Sequence, residues 1–227
     1  MLLPLREILL TGVVLGLLSA CALPSRVGGD SAAAEDSPQV HTDLIRDMLA
    51  QHQYYAALAH IQDVQRRSGN TRELRFLEAE TRRKLGQSAE AARLYQGLAE
   101  TEYAAQAYHG LGLINAANNL PLAIRQLQWA VHLQPTNAQF RNDLGYALMV
   151  SHRYTEALTQ LATATELDQH DPLARHNLIV LLLITHDDAN ANRMARESNV
   201  SASELSEARR QAQEIAQTGP VGAGGVK

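Results

Sequence analysis

The 227-residue chain has a single cysteine, and phenylalanine, tyrosine and tryptophan together make up only 4% of it. One cysteine excludes an intrachain disulfide and any cysteine-built zinc site. A β-rich domain of this size would want more aromatic and β-branched residues. Proline is also scarce, and none occurs between Gln39 and Leu120, which leaves that stretch free of helix breakers. With 24 acidic and 20 basic residues the net charge is −4. No basic excess remains to grip a phosphate backbone, so nucleic acid is not the expected partner. What is abundant is alanine, with 35 residues. Alanine is the strongest helix former, so the composition points to packed helices in one domain, or two small ones.

The most apolar stretch lies at the start. Residues 1–20 read MLLPLREILLTGVVLGLLSA, with Arg6 early, an apolar stretch from Ile8 to Leu18, and small residues at Ser19 and Ala20. That stretch is short for a spanning helix, which needs roughly 20 residues. Its length and flanks are those of a secretory signal peptide. The sole cysteine, Cys21, follows Leu18-Ser19-Ala20 directly. This resembles the lipobox of bacterial lipoproteins. The resemblance implies a diacylated Cys21, cleavage before it, and acylation of the new amino terminus. Two or three acyl chains would give stable anchoring, at about 0.8 kcal/mol per buried methylene. Ala22 stands where an aspartate would retain such a protein in the inner membrane, so the resemblance implies a lipid-anchored protein on the periplasmic face of the outer membrane. Residues 21–41 are small and polar and read as a flexible tether. Residues 219–227, GPVGAGGVK, read as a loose tail.

Between them the chain repeats. Ala57, Ala91, Ala123, Ala157 and Ala191 recur every 32 to 34 residues. Four residues after each stand Ile61, Tyr95, Leu127, Leu161 and Ala195; seven after each stand Val64, Leu98, Ala130, Ala164 and Ser198. These offsets mark one helical stripe that begins on a small residue. A second row runs upstream through Leu111-Gly112, Leu144-Gly145 and Leu178-Ile179, with Leu44-Ile45 at the equivalent distance before Ala57. Breaks fall at Asn118-Asn119, Pro135, Ser151-His152, Asp171-Pro172 and Asp187-Asp188. Each unit is thus expected to be a helical hairpin whose helices meet at small residues, with the next hairpin covering what one cannot bury alone.

A helical hairpin of about 34 residues with this grammar resembles the tetratricopeptide repeat. The resemblance implies an all-α superhelix, an α-α solenoid of about five hairpins over residues 42–199. The best copies contain Tyr108, Leu111, Gly112, Ala123, Leu127, Ala130 and Pro135, then Leu144, Gly145, Ala157, Leu161 and Ala164. The sequence departs from the pattern at Arg141 and Arg175, where an aromatic is usual, and at Ile179, where a small residue is usual. Ser201 to Glu204 reads as a capping box opening a last helix, within residues 200–218, that closes the stack.

Catalytic and metal chemistry find no foothold. Nine histidines are present, yet none has HExxH spacing, and those at His170-Asp171 and His186-Asp187-Asp188 sit in turn chemistry. There is no nucleophile motif, phosphate loop or dinucleotide fingerprint, so neither an enzyme nor a cofactor is expected. What remains is a surface. The family resemblance implies that the first helix of each hairpin lines a concave face. That row reads His109, Leu113 and Ala116, then Asn142, Tyr146 and Met149, then His176, Val180 and Leu183, each at i, i+4, i+7. A polar column beside an apolar one would suit an extended or helical partner segment. The same apolar residues would equally serve as core.

Leader, tether, repeats and closing helix resemble, in layout, the TadD-type lipoproteins of tight-adherence (Flp) pilus assembly. The residues nearest that pattern are 141–148 (RNDLGYAL), 174–178 (ARHNL) and 194–197 (MARE). The resemblance implies a non-catalytic aid to assembly or placement of the pilus secretin. Two other lipoprotein families share the layout: type IV pilus pilotins of the PilF/PilW type, and NlpI-type adaptors that recruit peptidoglycan hydrolases or proteases.

Overall fold

The computed structural model describes residues 37–218. The expected leader at 1–20, the lipidation candidate Cys21, the tether as far as residue 36 and the tail at 219–227 lie outside the described residues. Among the described residues there are eleven α-helices and no strand. They are α1 (Pro38–Ala50), α2 (Tyr54–Ser68), α3 (Arg72–Lys84), α4 (Ser88–Gln96), α5 (Ala104–Asn115), α6 (Leu120–Leu133), α7 (Ala138–Val150), α8 (Tyr154–Leu167), α9 (Pro172–Ile184), α10 (Asp188–Glu197) and α11 (Ala202–Gln217). Consecutive helices pair into five hairpins, and α11 packs on α9 at the end of the stack. This is an α-α solenoid. Its first helix begins at Pro38, inside the stretch read as tether, because proline's fixed φ and missing N–H suit a helix's first turn.

The alanine stripe is the spine of the fold. Ala57, Ala91, Ala123, Ala157 and Ala191 have no exposed surface, and Ile61, Tyr95, Leu127 and Leu161 behind them are equally covered. Small residues on the first helices receive the large ones. A Cβ placed on Gly112 would stand 2.7 Å from Leu127 Cγ, and one on Gly145 would stand 2.6 Å from Leu161 Cγ. The core divides into three clusters. One joins Ile45, Ile61, Val64, Leu74 and Leu77 in α1 to α3; a second joins Ala79, Ala91, Tyr95, Leu98, Ala107 and Leu111; the third runs unbroken from Ala105 to Ile215 in α11. Ile179, where a small residue was expected, is buried in the third cluster, and the slot that holds Leu127 and Leu161 in the earlier hairpins is filled in its own hairpin by the small Ala195. Arg141, another of the departures, ties its hairpin instead: its guanidinium donates to Pro135 O at 2.6 Å and Gln160 Oε1 at 2.8 Å.

Helix ends follow local chemistry. Thr71, Asn119, Asn137, Asp171 and Asp187 each accept a backbone N–H as N-caps, and Ser201 with Glu204 forms the full capping box. Within four hairpins the first helix ends in a Schellman turn, with Gln53 N donating to Met48 O, Gln87 N to Arg82 O, Arg153 N to Leu148 O and Asp187 N to Leu182 O. The residue at the apex is left-handed: His52 (φ 59°), Gly86 (φ 75°), His152 (φ 60°) and His186 (φ 59°). Three histidines therefore hold a conformation that suits glycine. The His52 and His152 Nδ1 atoms stand 2.5 and 2.6 Å from the hydroxyls of Tyr54 and Tyr154, whereas exposed His186 makes no such bond. His186→Gly should therefore raise stability by about 0.5–1 kcal/mol, the relief of left-handed strain less glycine's greater chain entropy. Urea denaturation at constant m-value would measure it.

Candidate functional site

The row carried by the first helices is partly surface and partly core. His109 Nε2 donates to Asp143 Oδ2 at 2.7 Å, and its ring stacks on Phe140 with centroids 4.4 Å apart. A carboxylate only accepts, so this bond fixes the His109 tautomer. Asn142 Nδ2 donates to Asp143 Oδ1 at 3.3 Å, and Asn177 Nδ2 donates to Asn142 Oδ1 at 2.8 Å. His176 Nε2 donates to Gln211 Oε1 at 2.8 Å, joining α9 to α11. Side chains of one first helix thus bond to the next, and a polar chain crosses α5, α7 and α9.

That chain corrects the expectation that every residue of the row contacts a partner. His109 and Asn142 are buried, each covered by the next first helix, and Met149 and Val180 have no exposed surface at all. Val180 lies in the cluster that α11 completes. Tyr146 is 40% exposed, while Leu113, His176 and Leu183 are partly exposed. The reachable surface of the row is therefore Tyr146 with Leu113, Ala116, Leu183 and the rim of His176, backed by the buried polar chain. Gln106, one turn before His109, has its Oε1 buried with no hydrogen-bond partner among the described residues. Its i−3 offset from His109 was the signal in the sequence, and it went unused.

The same row continues one repeat upstream in α3 as Phe76, Glu80 and Arg83, at the same i, i+4, i+7 spacing. Glu80 receives the hydroxyl of Tyr95 and the Arg83 guanidinium, the latter at 2.7 Å. Burial alone would raise the Glu80 carboxyl; the charge of Arg83 and the bonds from Arg83 and Tyr95 outweigh it and hold the group below its usual value. Burial, then the Glu80 charge, push the Tyr95 hydroxyl well above its usual range. The ring of Tyr95 lies so close to α5 that a Cβ on Gly110 would meet it at 2.3 Å. Phe76 stacks on Tyr103 with centroids 5.3 Å apart. This cluster is a brace in which the Glu80 and Arg83 charges face each other, while Arg83 Nε is buried with no hydrogen-bond partner among the described residues.

Among the described residues no group of three or more histidine, cysteine or acidic side chains is arranged to hold a metal ion. No helix among them is long and apolar enough to cross a membrane.

No family profile matches the chain. A tetratricopeptide repeat-containing protein of Pseudomonas aeruginosa is 33% identical over 198 residues, which span 86% of this chain and 79% of that one. Among solved structures, a thermophilic tetratricopeptide-repeat protein of Thermus thermophilus superposes with a TM-score of 0.62 at 19% identity, covering 79% of this chain and 98% of its own. YrrB, a tetratricopeptide-repeat protein with an unusual peptide-binding site, superposes with a TM-score of 0.55 at 18% identity over 79% of this chain and 97% of its own. At those identities the structural likeness concerns the fold.

Proposed function

The chain belongs to the tetratricopeptide-repeat family, a family of protein-binding scaffolds, and on that premise we propose that it is a non-catalytic lipoprotein scaffold for pilus assembly. The lipid is carried by Cys21 at the outer membrane's periplasmic face, and the bound partner is the secretin or another component of a tight-adherence pilus. The observation that carries the binding role is the exposure of Tyr146 on a first-helix face where Asn142 and Met149 beside it are buried. A tyrosine ring with a fixed backing offers large contact area and a polar tip with little ordering on binding. The lipobox-like run ending at Cys21 and the residues at 141–148, 174–178 and 194–197 support the anchor and the pilus system.

The test is a mild-detergent pull-down from native membranes, read by mass spectrometry, with the whole chain as bait. Wild type should retain a secretin or pilus-assembly protein. The Leu113→Ala/Tyr146→Ala double variant should lose at least about nine-tenths of it, as expected when anchor side chains near the centre of an interface are truncated. Cys21→Ser bait should leave the membrane fraction and fail to incorporate labelled palmitate. Equal retention by the double variant would remove the first-helix row as the binding surface. Capture of peptidoglycan hydrolases or proteases in place of pilus components would shift the role to that of an NlpI-type adaptor, and capture of a type IV pilus secretin to that of a pilotin.

A further inference from the structure

A second surface stands on the second helix of the third hairpin. Trp129, the chain's only tryptophan, is 54% exposed on α6 although nothing in the repeat requires an aromatic there. Its ring is held from two sides: Tyr108 stacks on it with centroids 6.2 Å apart at 28°, and His132 meets it edge-on at 5.5 Å and 84°. The indole is thus fixed in place with one side left open. An open hollow of about 370 Å³ lies over it, lined by Arg125, Gln128, Trp129 and His132. Leu133, one turn on from Trp129, is exposed beside it. Tryptophan, tyrosine and arginine are the residue types that dominate interface energetics, and here all three meet on one patch.

The charge of the patch says what it fits. No carboxylate lines the hollow, and Arg125 forms no ion pair with any described residue. Arg125 and Trp129 stand at i and i+4, so their side chains rise from the same face about 6 Å apart. Two residues of extended chain span roughly 6.6 Å. We propose that Trp129 and Arg125 form a docking site, separate from the first-helix row, for an acidic protein segment that lays a proline or aromatic ring on the indole and sets an Asp or Glu two residues away against the guanidinium. Gln128 and His132 supply hydrogen bonds to the backbone of that segment, and Leu133 extends the apolar floor.

The test uses the purified whole chain in detergent as target for a phage-displayed library of random dodecapeptides. The expected pool carries an acidic residue two positions from a proline or aromatic residue. Synthetic peptides from the pool should shift the emission of the sole tryptophan. Their affinity should fall by about tenfold or more in both Trp129→Ala and Arg125→Ala, as expected for loss of a central anchor. Both residues are exposed, and circular dichroism checks that the helices persist. A pool without that spacing, or peptides bound as tightly by Trp129→Ala as by wild type, would overturn the proposal. Peptides lost on Tyr146→Ala but kept by Trp129→Ala would overturn it too and assign their binding to the first-helix row. Because these variants leave Leu113 and Tyr146 untouched, failure here is separate from failure of the pilus reading.

Discussion

Gly145→Ala should destabilise the protein by about 2–3 kcal/mol, the upper range for one methyl forced into a filled core. The added Cβ would stand 2.6 Å from Leu161 Cγ and 3.2 Å from the backbone nitrogen of Leu161. Leu161 has no exposed surface, and its nitrogen moves only if α8 moves. Relief therefore requires α7 and α8 to part, which loosens Leu144 and Ala157 as well. For a domain of this size the loss lowers the melting temperature by about 5–10 °C. Gly97→Ala is the control. Its nearest neighbours would be 3.5 Å from the new Cβ, an ordinary contact, and the change should be neutral or stabilise by up to about 1 kcal/mol. Equal effects at the two sites in urea denaturation would refute the packing argument.

Glu80→Ala should have a comparable effect by another route. It leaves the Arg83 guanidinium and the buried Tyr95 hydroxyl without their acceptor. Stranding a buried charge costs about 3–5 kcal/mol, and the partial exposure of this pair, 18% for Arg83 and 21% for Glu80, places the expected loss near the lower end, about 2–3 kcal/mol. The carboxyl is held below its reference value of 4.5 in the fold. Its contribution is therefore complete above that value, where both folded and unfolded forms are ionised, and is lost as pH falls through the lower folded value. The stability gap between wild type and Glu80→Gln should accordingly be widest near neutral pH and narrow on acidification below 4.5. A gap that stays constant or widens in acid would contradict the assigned brace.

The hairpins were legible in the sequence because one stripe repeats with its small residue in register, and burial of that stripe is decided inside each unit. The capping box at Ser201 and the Asp171-Pro172 helix start were legible for the same reason, since both are local. The left-handed histidines were not: histidine enters that region more often than most residues but still rarely, and the Schellman bonds around it impose it here. The first-helix row was half legible. Spacing places His109, Asn142 and Met149 on one face of their own helices, but it cannot say that the following first helix covers them. That cover depends on Phe140, Asp143 and Asn177, one repeat further on. The brace of Glu80, Arg83 and Tyr95 escaped because the early units break the small-large pattern. A tyrosine fills the slot that leucine takes in later units, and it reaches past Ala79 of its own hairpin to Gly110 of the next.

The division of the core bears on how the molecule would respond to a pull. The cluster under α1 to α3 comprises a handful of side chains, while the one ending at α11 is continuous across three hairpins. In a solenoid each hairpin is held only by its neighbours and all carry the same tension, so the least firmly packed unit gives first. A load entering through residue 37 would reach the weaker end and peel α1 and α2 away as a unit. The hairpins bearing Tyr146 and Trp129 would stay folded. The first two helices would then act as a mechanical fuse, giving length under strain while the binding faces keep their shape.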